Sequence, residues 1–274
     1  MTSAHSIKVG ISSCLLGERV RFDGAHKNND YIKNTLGQYF EWVLFCPEVS
    51  AGLGIPRTPM HLVRHEQGVH VVTIKGDKQD HTLALAQVIE QITPQLPLLS
   101  GYILKKDSPS CGMERVKVYD AEQPHRYPPE RNGVGAFAAA LQAQFPSLPL
   151  EEEGRLGDPG LRENFITRVY VYKRWQNLMS HSLKTVDLVN FHADHKYLLM
   201  AHHQDELRQL GQLVASVGKH NIVELAQVYI TRLMQLLRSV ASRGQHANVL
   251  SHLMGYLKDH LDSADREELV EMIG

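Results

Sequence analysis

Apolar positions in the first half of the chain form short continuous runs, separated by stretches with helical spacing. The runs predict buried strands at Lys8–Ser13, Trp42–Cys46, Val69–Ile74, Gly101–Leu104 and Val116–Tyr119, the last also fitting one arm of a hairpin. Helical spacing covers Asn28–Gln38, His81–Ile92 and Gly133–Gln144. Strands that alternate with helices are typical of a mostly parallel sheet. The first half is therefore predicted to be an α/β domain with a Rossmann-like sheet.

The second half has helical spacing and little strand character. Asp158-Pro159 predicts a helix start, because an acid at the N-cap and a proline in the first turn both favour one. Apolar residues three and four apart then recur through two stretches, at Ile222, Leu225, Tyr229, Leu233, Leu236 and Val240, and at Leu250, Leu253, Met254, Leu257 and Leu261. An all-α helical bundle is expected here. We place the domains at residues 1–175 and 176–274.

Composition and charge narrow the class of protein. The 274 residues are 43% hydrophobic and 22% charged, which supports a globular core. A net charge of −1 argues against coating nucleic acid through bulk charge, although a local basic face stays open. The first ten residues do not resemble a secretory signal, and no apolar run is long enough to span a bilayer. A cytoplasmic protein without membrane contact is expected.

The three cysteines lie close behind predicted core strands. Cys14 follows the first strand, Cys46 ends the second, and Cys111 lies in the loop after Gly101–Leu104. Loops at the carboxyl ends of parallel strands converge on one crevice, so the three thiols are expected to meet there. Free cysteines are usually small buried hydrophobes, but three in such loops favour a metal site. Their spacing leaves zinc and an iron–sulfur cluster both open.

A basic stretch follows the predicted boundary. Residues 162–196 contain three acids and six Lys or Arg, at positions 162, 168, 173, 174, 184 and 196. This stretch is the best candidate for contacts with phosphate groups. The alternative is that its charges only form a solvated helix face. The spacing of His192, His195 and His202 allows them to share one helical face. RNA contacts or a polar network within the helical domain are expected there rather than a zinc site. The aromatic residues Tyr170, Tyr172 and Trp175 are expected in the core rather than stacked on bases.

Five ordered segments carry a family resemblance. They are Ser13-Cys14-Leu15-Leu16-Gly17, Arg21-Phe22-Asp23-Gly24, Cys46-Pro47-Glu48-Val49, Gly52-Leu53-Gly54-Ile55-Pro56-Arg57 and Leu104-Lys105-Lys106-Asp107-Ser108-Pro109-Ser110-Cys111-Gly112. In these the chain resembles the thiouracil desulfidase (TudS) family, with Phe22 where that family more often has tyrosine. Residues 188–202, Leu-Val-Asn-Phe-His-Ala-Asp-His-Lys-Tyr-Leu-Leu-Met-Ala-His, resemble the YbgA-like helical domain that is often fused to it.

The resemblance implies a site and a reaction. It implies that Cys14, Cys46 and Cys111 bind a 4Fe–4S cluster whose fourth iron has no protein ligand, and that Glu48 and Ser108 are the catalytic residues. The fused arrangement resembles bacterial desulfidases that convert 4-thiouridine in tRNA to uridine, so the implied substrate is a thiolated uracil within tRNA. Asp23 and Arg57 either orient the substrate or serve as a turn acid and a structural ion pair.

Three other functions stay open at this point. One is a desulfidase for the free thiouracil base, with the helical domain serving dimerisation. Another is a non-catalytic iron–sulfur sensor that binds RNA and makes no use of Glu48 or Ser108. The third is a zinc hydrolase, which the cysteine spacing does not separate from a cluster enzyme.

Overall fold

The computed structural model describes residues 6–122, 128–257 and 260–273. Two compact units make up the chain, Met1–Lys173 and Arg174–Gly274. The division falls within a single helix, Pro159–Met179. That helix begins as predicted, because Oδ1 of Asp158 accepts a hydrogen bond of 2.9 Å from the backbone N–H of Leu161. The assignment of 1–175 and 176–274 to separate functional domains stays a prediction.

In its described part, the first unit contains eight strands, four α-helices and the greater part of a fifth, α5, which continues into the second unit. The strands are β1 (Ile7–Ser12), β2 (Phe40–Phe45), β3 (Met60–His65), β4 (Gly68–Thr73), β5 (Gly101–Leu104), β6 (Val116–Asp120), β7 (Glu130–Gly133) and β8 (Leu150–Glu152). The helices are α1 (Pro47–Ser50), α2 (Thr82–Gln87), α3 (Ile89–Ile92), α4 (Ala136–Gln144) and α5 (Pro159–Met179).

A fully parallel sheet forms the centre of this unit. Its strand order is β2-β1-β5-β8, and each neighbouring pair is parallel. Apolar side chains cover both faces, as a sheet sandwiched between helices requires. One face packs Val9, Ile11 and Phe165, and the other packs Tyr102 and Phe137. This confirms the predicted α/β class with a mostly parallel sheet.

A second sheet, absent from the prediction, has the order β4-β3-β6-β7 and mixes parallel with antiparallel pairs. Two predicted strands, Val69–Ile74 and Val116–Tyr119, lie in this sheet as β4 and β6. The strand β6 pairs with β7 in antiparallel fashion, as expected for one arm of a hairpin. The strand β3 was missed because His61, Arg64 and His65 interrupt its apolar pattern. Antiparallel strands tolerate such side chains because one face of the sheet contacts solvent.

One predicted helix has a different form. Residues Asn28–Gln38 form a π-helical turn at Tyr31–Thr35 and a 3₁₀ turn at Leu36–Gln38. Ile32 and Leu36 are the only buried side chains of these two turns. Two buried positions four residues apart produce helical spacing, but they do not extend it into a regular α-helix.

The second unit is helical throughout its described residues, as predicted. After the end of α5 come α6 (Thr185–His202), α7 (Gln204–Ala215), α8 (Ile222–Leu236), α9 (Arg243–Leu257) and α10 (Ser263–Ile273). Its core includes Trp175, whose ring packs on those of Phe191 and Tyr229. None of the helices in the described ranges has the length and apolar character needed to cross a membrane.

Candidate active site

The three cysteines line one cavity beyond the carboxyl ends of β1, β2 and β5. The cavity has a volume of about 350 Å³, and Cys14, Cys46 and Cys111 all contribute to its wall. Cys14 lies in a 3₁₀ turn directly after β1, and Cys46 lies between β2 and α1. Cys111 lies in the loop that follows β5. The topology therefore brings together the three thiols that are far apart in the sequence.

Burial keeps the cysteines protonated in the protein alone. Burial, with Cys46 nearby, raises the pKa of Cys14 to about 11, against the opposing charges of Lys105 and Arg21. The pKa of Cys46 is also raised by burial, while backbone N–H groups at the start of α1 partly offset the effect. Burial raises the pKa of Cys111 most strongly. A cation bound among such thiols would stabilise the thiolates, and binding would release protons.

Helix α4 holds the Cys111 loop in place. Backbone N–H groups of Ala136 and Ala138 donate to the carbonyls of Pro109 and Ser110, each at 3.1 Å. Gly135 precedes the helix, and a Cβ atom there would lie 2.5 Å from the backbone carbonyl of Ser110. The loop backbone thus lies directly against the start of the helix, where unpaired N–H groups are available.

Glu48 sits at the centre of a polar network beside the thiols. Its Oε2 atom receives a hydrogen bond of 2.8 Å from Nε of Arg57, and Nη2 of Arg57 lies 2.5 Å from the same oxygen. Its Oε1 atom receives a hydrogen bond of 2.5 Å from the hydroxyl of Ser110. The hydroxyls of Ser108 and Ser110 lie 2.9 Å apart. Glu48 and Ser108, both predicted site residues, are therefore joined through Ser110.

Ser110 is the site residue that the sequence did not single out. It is completely buried, and its hydroxyl also lies 3.7 Å from Sγ of the neighbouring Cys111. The sequence contained one indication, since Ser110 lies in the loop between Ser108 and Cys111, both of which were predicted site residues. Arg57 proves to be the ion-pair partner of Glu48, with only 6% of its side chain exposed.

The residues around the cavity fit an iron–sulfur cluster. The donors are three sulfurs, which soft metals prefer. Tyr102, in the same buried cluster as Cys111, is completely buried, and its hydroxyl has no hydrogen-bond partner among the described residues. In the described ranges no three His, Cys, Asp or Glu side chains are placed to surround one metal ion. In a cubane cluster each cysteine binds an iron of its own, which is a different requirement from that of a single ion.

The rim of the cavity combines an aromatic ring with positive charge. Phe22 lines the cavity and is exposed, with the guanidinium of Arg21 5.4 Å from its ring centre. Lys27, Lys105 and Lys106 also line the cavity. Nζ of Lys105 lies 2.5 Å from Oε1 of Glu153, while Lys27 and Lys106 are exposed.

Several other candidate residues lie away from the cavity or inside the protein core. Asp23 is an exposed turn acid that pairs with Arg21 and accepts a hydrogen bond from the N–H of Ala25. Arg168, which was included among the phosphate contacts, is buried with Nη2 3.6 Å from the carboxylate of Glu151. That part of the prediction is wrong, because a residue used to compensate a buried acid does not reach a solvent-side phosphate.

Each of the three histidines makes a hydrogen bond within the helical unit. Nδ1 of His192 lies 3.1 Å from the hydroxyl of Tyr229, while His195 and His202 are buried with Nδ1 close to the backbone carbonyls of Phe191 and Ser239. Of the three aromatic residues, Trp175 is buried and Tyr172 packs against the core, as expected, but Tyr170 is exposed.

Comparisons with known proteins identify the family of the chain. At the carboxyl edge of the parallel sheet, Cys14, Cys46, Cys111, Glu48 and Ser108 line one crevice, the position where ligands bind in open α/β sheets. The family model described as 2-thiouracil desulfurase matches residues 9–153, and the chain belongs to this family. A second model, a protein of unknown function (DUF1722), matches residues 196–274.

Individual relatives are also similar to this chain. The uncharacterized protein YbgA of Escherichia coli (strain K12) is 31% identical over 112 residues, which are 40% of this chain and 66% of YbgA. The uncharacterized protein YbbK of Bacillus subtilis (strain 168) is 29% identical over 116 residues, 37% of this chain and 71% of YbbK. The resemblances to the desulfidase family and to the YbgA-like domain are confirmed.

Among solved structures, the [4Fe-4S]-dependent thiouracil desulfidase TudS matches with 28% identity and a TM-score of 0.42. The match covers 56% of this chain and 94% of the TudS chain.

Proposed function

We propose that this protein removes the sulfur of 4-thiouridine in tRNA, giving uridine and sulfide, with a 4Fe–4S cluster held by Cys14, Cys46 and Cys111. The observation that carries the proposal is one cavity in which three thiols face a carboxylate and a hydroxyl, Glu48 and Ser108. Membership of the 2-thiouracil desulfurase family supports the reaction class. The described 4Fe–4S dependence of TudS is the reason for choosing this cofactor.

The cofactor and the chain have separate tasks in this reaction. When bound, a cluster with one iron free of protein ligands supplies a soft Lewis acid, which favours the thiocarbonyl sulfur of the base and eases its departure. Glu48 is the general base that takes a proton from the attacking water. Arg57 fixes the carboxylate and compensates its charge in this partly buried position.

The atoms balance without electron transfer. The oxygen of water bonds to C4 of the base, the C4–S bond breaks, and the two protons of water leave with the sulfur as hydrogen sulfide. The first of these protons passes to Glu48. The hydroxyls of Ser108 and Ser110 connect the cavity with Oε1 of Glu48, so they offer a route by which the proton returns towards the leaving sulfur. Ser108 is also placed to donate a hydrogen bond to the substrate.

The cavity and its rim suit a nucleotide better than a free base. A volume of about 350 Å³ is at the small end of the range for ligand pockets, and the cluster and a single pyrimidine ring would share it. Phe22 at the mouth offers a flat surface for base stacking. Lys27 and Lys106 are exposed on the same rim, where phosphate groups on either side of the base would meet them. A base in tRNA must leave its stack to enter.

The test is anaerobic reconstitution with iron and sulfide, followed by mass analysis of nucleosides from thiolated tRNA. We expect visible absorption from a cluster, loss of 4-thiouridine and an equal gain of uridine. Turnover of free 4-thiouracil, measured in parallel, should be much slower. Faster turnover of the free base would overturn the tRNA assignment. A cluster without sulfide release would favour a sensor, and activity with zinc alone would overturn the cofactor.

A further inference from the structure

Tyr102 is a buried residue that the proposed mechanism does not use. It lies in β5, has no exposed surface, and its hydroxyl finds no hydrogen-bond partner in the part of the chain that the structure describes. Burying an unpaired hydroxyl is unfavourable, and most buried hydroxyls are paired. The unpaired hydroxyl therefore points to a partner other than the polypeptide.

The surrounding structure fixes the position of the Tyr102 ring. Gly10 is its register partner on the neighbouring strand β1, and a Cβ atom on Gly10 would lie 2.2 Å from Cδ2 of the ring. Only glycine at position 10 leaves room for the aromatic ring in this place. The ring of Phe137 also packs against it, with ring centres 5.9 Å apart. The ring is thus part of the rigid sheet core and not a mobile side chain.

Tyr102 packs in the same buried cluster as Cys111, and the titratable groups that act on its hydroxyl are the three site cysteines. Burial, followed by Cys111, Cys46 and Cys14 in that order, raises the pKa of Tyr102 well above its ordinary value. The phenol consequently keeps its proton at neutral pH and acts as a hydrogen-bond donor. Sulfur in thiolates and in sulfide ions accepts such bonds, and these bonds are among the features that tune iron–sulfur clusters.

We propose that the Tyr102 hydroxyl donates a hydrogen bond to a sulfur atom of the group held by Cys14, Cys46 and Cys111. Tyr102 is then a positioning residue that would act on the cluster from the buried core, since it does not line the cavity. A donor at sulfur withdraws electron density and raises the reduction potential. This inference rests on the cluster of the proposed function, but it concerns a residue with no direct role in desulfurisation.

The test compares the wild-type protein with Tyr102→Phe, which keeps the ring and removes only the hydroxyl. Both are reconstituted anaerobically, and the reduction potential is measured by titration with electron paramagnetic resonance detection. We expect a lower potential in Tyr102→Phe at unchanged iron and sulfide content. Resonance Raman bands of the iron–sulfur bonds should shift in deuterated water in the wild type, and this part of the shift should be smaller in the variant. Tyr39→Phe, at an exposed position, is the matched control and should behave as the wild type.

A second measurement uses the protein without iron. Because the hydroxyl has no partner in the described polypeptide, its removal should leave the urea midpoint of the metal-free protein unchanged or higher. A lower midpoint, or failure of Tyr102→Phe to fold, would mean that the hydroxyl bonds to the polypeptide, which overturns the inference. Equal potentials and equal deuterium shifts overturn it as well. If the wild type itself takes up no cluster, the proposed function fails first, and the iron and sulfide content shows which of the two has failed.

Discussion

The polar side chains of this site make hydrogen bonds that their residue types alone do not predict. Glu48 combines one oxygen bonded to Arg57 with another bonded to Ser110. Because both oxygens of the carboxylate are already hydrogen-bonded, its side chain has little rotamer freedom left to lose when it takes a proton. A base that is fixed in this way is preorganised for the reaction. Ser110 is completely buried, so its contribution is to the orientation of Glu48 and Ser108 rather than to substrate contact.

Replacement of Glu48 separates catalysis from cluster binding. Glu48→Gln keeps the size and one hydrogen-bonding oxygen but removes the base, so we expect turnover of thiolated tRNA to fall by roughly 10²–10⁴-fold. The brown colour and the iron content should stay at wild-type levels, because Glu48 is not one of the three sulfur donors. The measurement is single-turnover loss of 4-thiouridine beside the visible spectrum. Full activity in Glu48→Gln would remove Glu48 from the mechanism.

At the scale of elements, the site depends on how a loop is seated on a helix. The loop from Pro109 to Gly112 presents its carbonyls to the N-terminal turn of α4, and Gly135 allows the two backbones to touch. This contact satisfies both partners, since the first N–H groups of a helix need acceptors from outside the helix. The position of Cys111 is therefore determined by main-chain contacts with α4.

Gly135→Ala should disturb the site through this contact. The added Cβ would meet the Ser110 carbonyl at 2.5 Å. This neighbour is backbone and cannot turn aside as the end of a flexible side chain can, so we expect a loss of about 1–3 kcal/mol in unfolding free energy. Iron content after reconstitution should fall with it, as Cys111 is displaced. Urea denaturation and iron analysis provide the measurements. The control is Gly157→Ala, whose Cβ would have no atom within 4 Å. Equal stability of the two variants would contradict the prediction.

At the scale of the whole molecule, the net charge is −1, whereas a protein that binds nucleic acid through its overall charge is strongly basic. Positive charge is instead local, at the rim of the cavity. Because Arg168 is buried against Glu151, the basic stretch of residues 162–196 offers fewer phosphate contacts than its composition indicated. Exposed lysines beside the cavity are better placed to meet the backbone around an extruded base.

Increasing salt concentration should weaken the turnover of thiolated tRNA and leave the turnover of the free base nearly unchanged. Each phosphate contact adds a slope of roughly −0.7 to −0.9 to the dependence of log affinity on log salt, whereas neutral 4-thiouracil should show almost none. Lys106→Ala should reduce the slope for tRNA by about 1. The slope is measured from KM at a series of salt concentrations. Lys33→Ala, exposed but outside the cavity lining, should keep the wild-type slope. A salt-independent KM for tRNA would contradict phosphate contact at this rim.

The sequence by itself determined the strands that surround the site and the identity of its central residues. β1, β2 and β5 are apolar runs with a cysteine close behind each, so periodicity and the geometry of parallel sheets were enough to predict that the three thiols meet. The helical second half was equally readable, because spacing of three and four residues reports burial on one helical face. The roles proposed for Glu48 and Ser108 came from the resemblance to a family, not from the pattern.

Only the tertiary structure decided which polar groups are partners. Ser110 and Glu48 are 62 positions apart in the chain, and no local pattern encodes such a pair. The same holds for the burial of Arg168, for the unpaired hydroxyl of Tyr102 and for the second sheet, whose strand β3 is half polar. Periodicity reports whether a side chain faces the core, but it does not report what the side chain meets there, since that depends on elements brought together from distant parts of the chain.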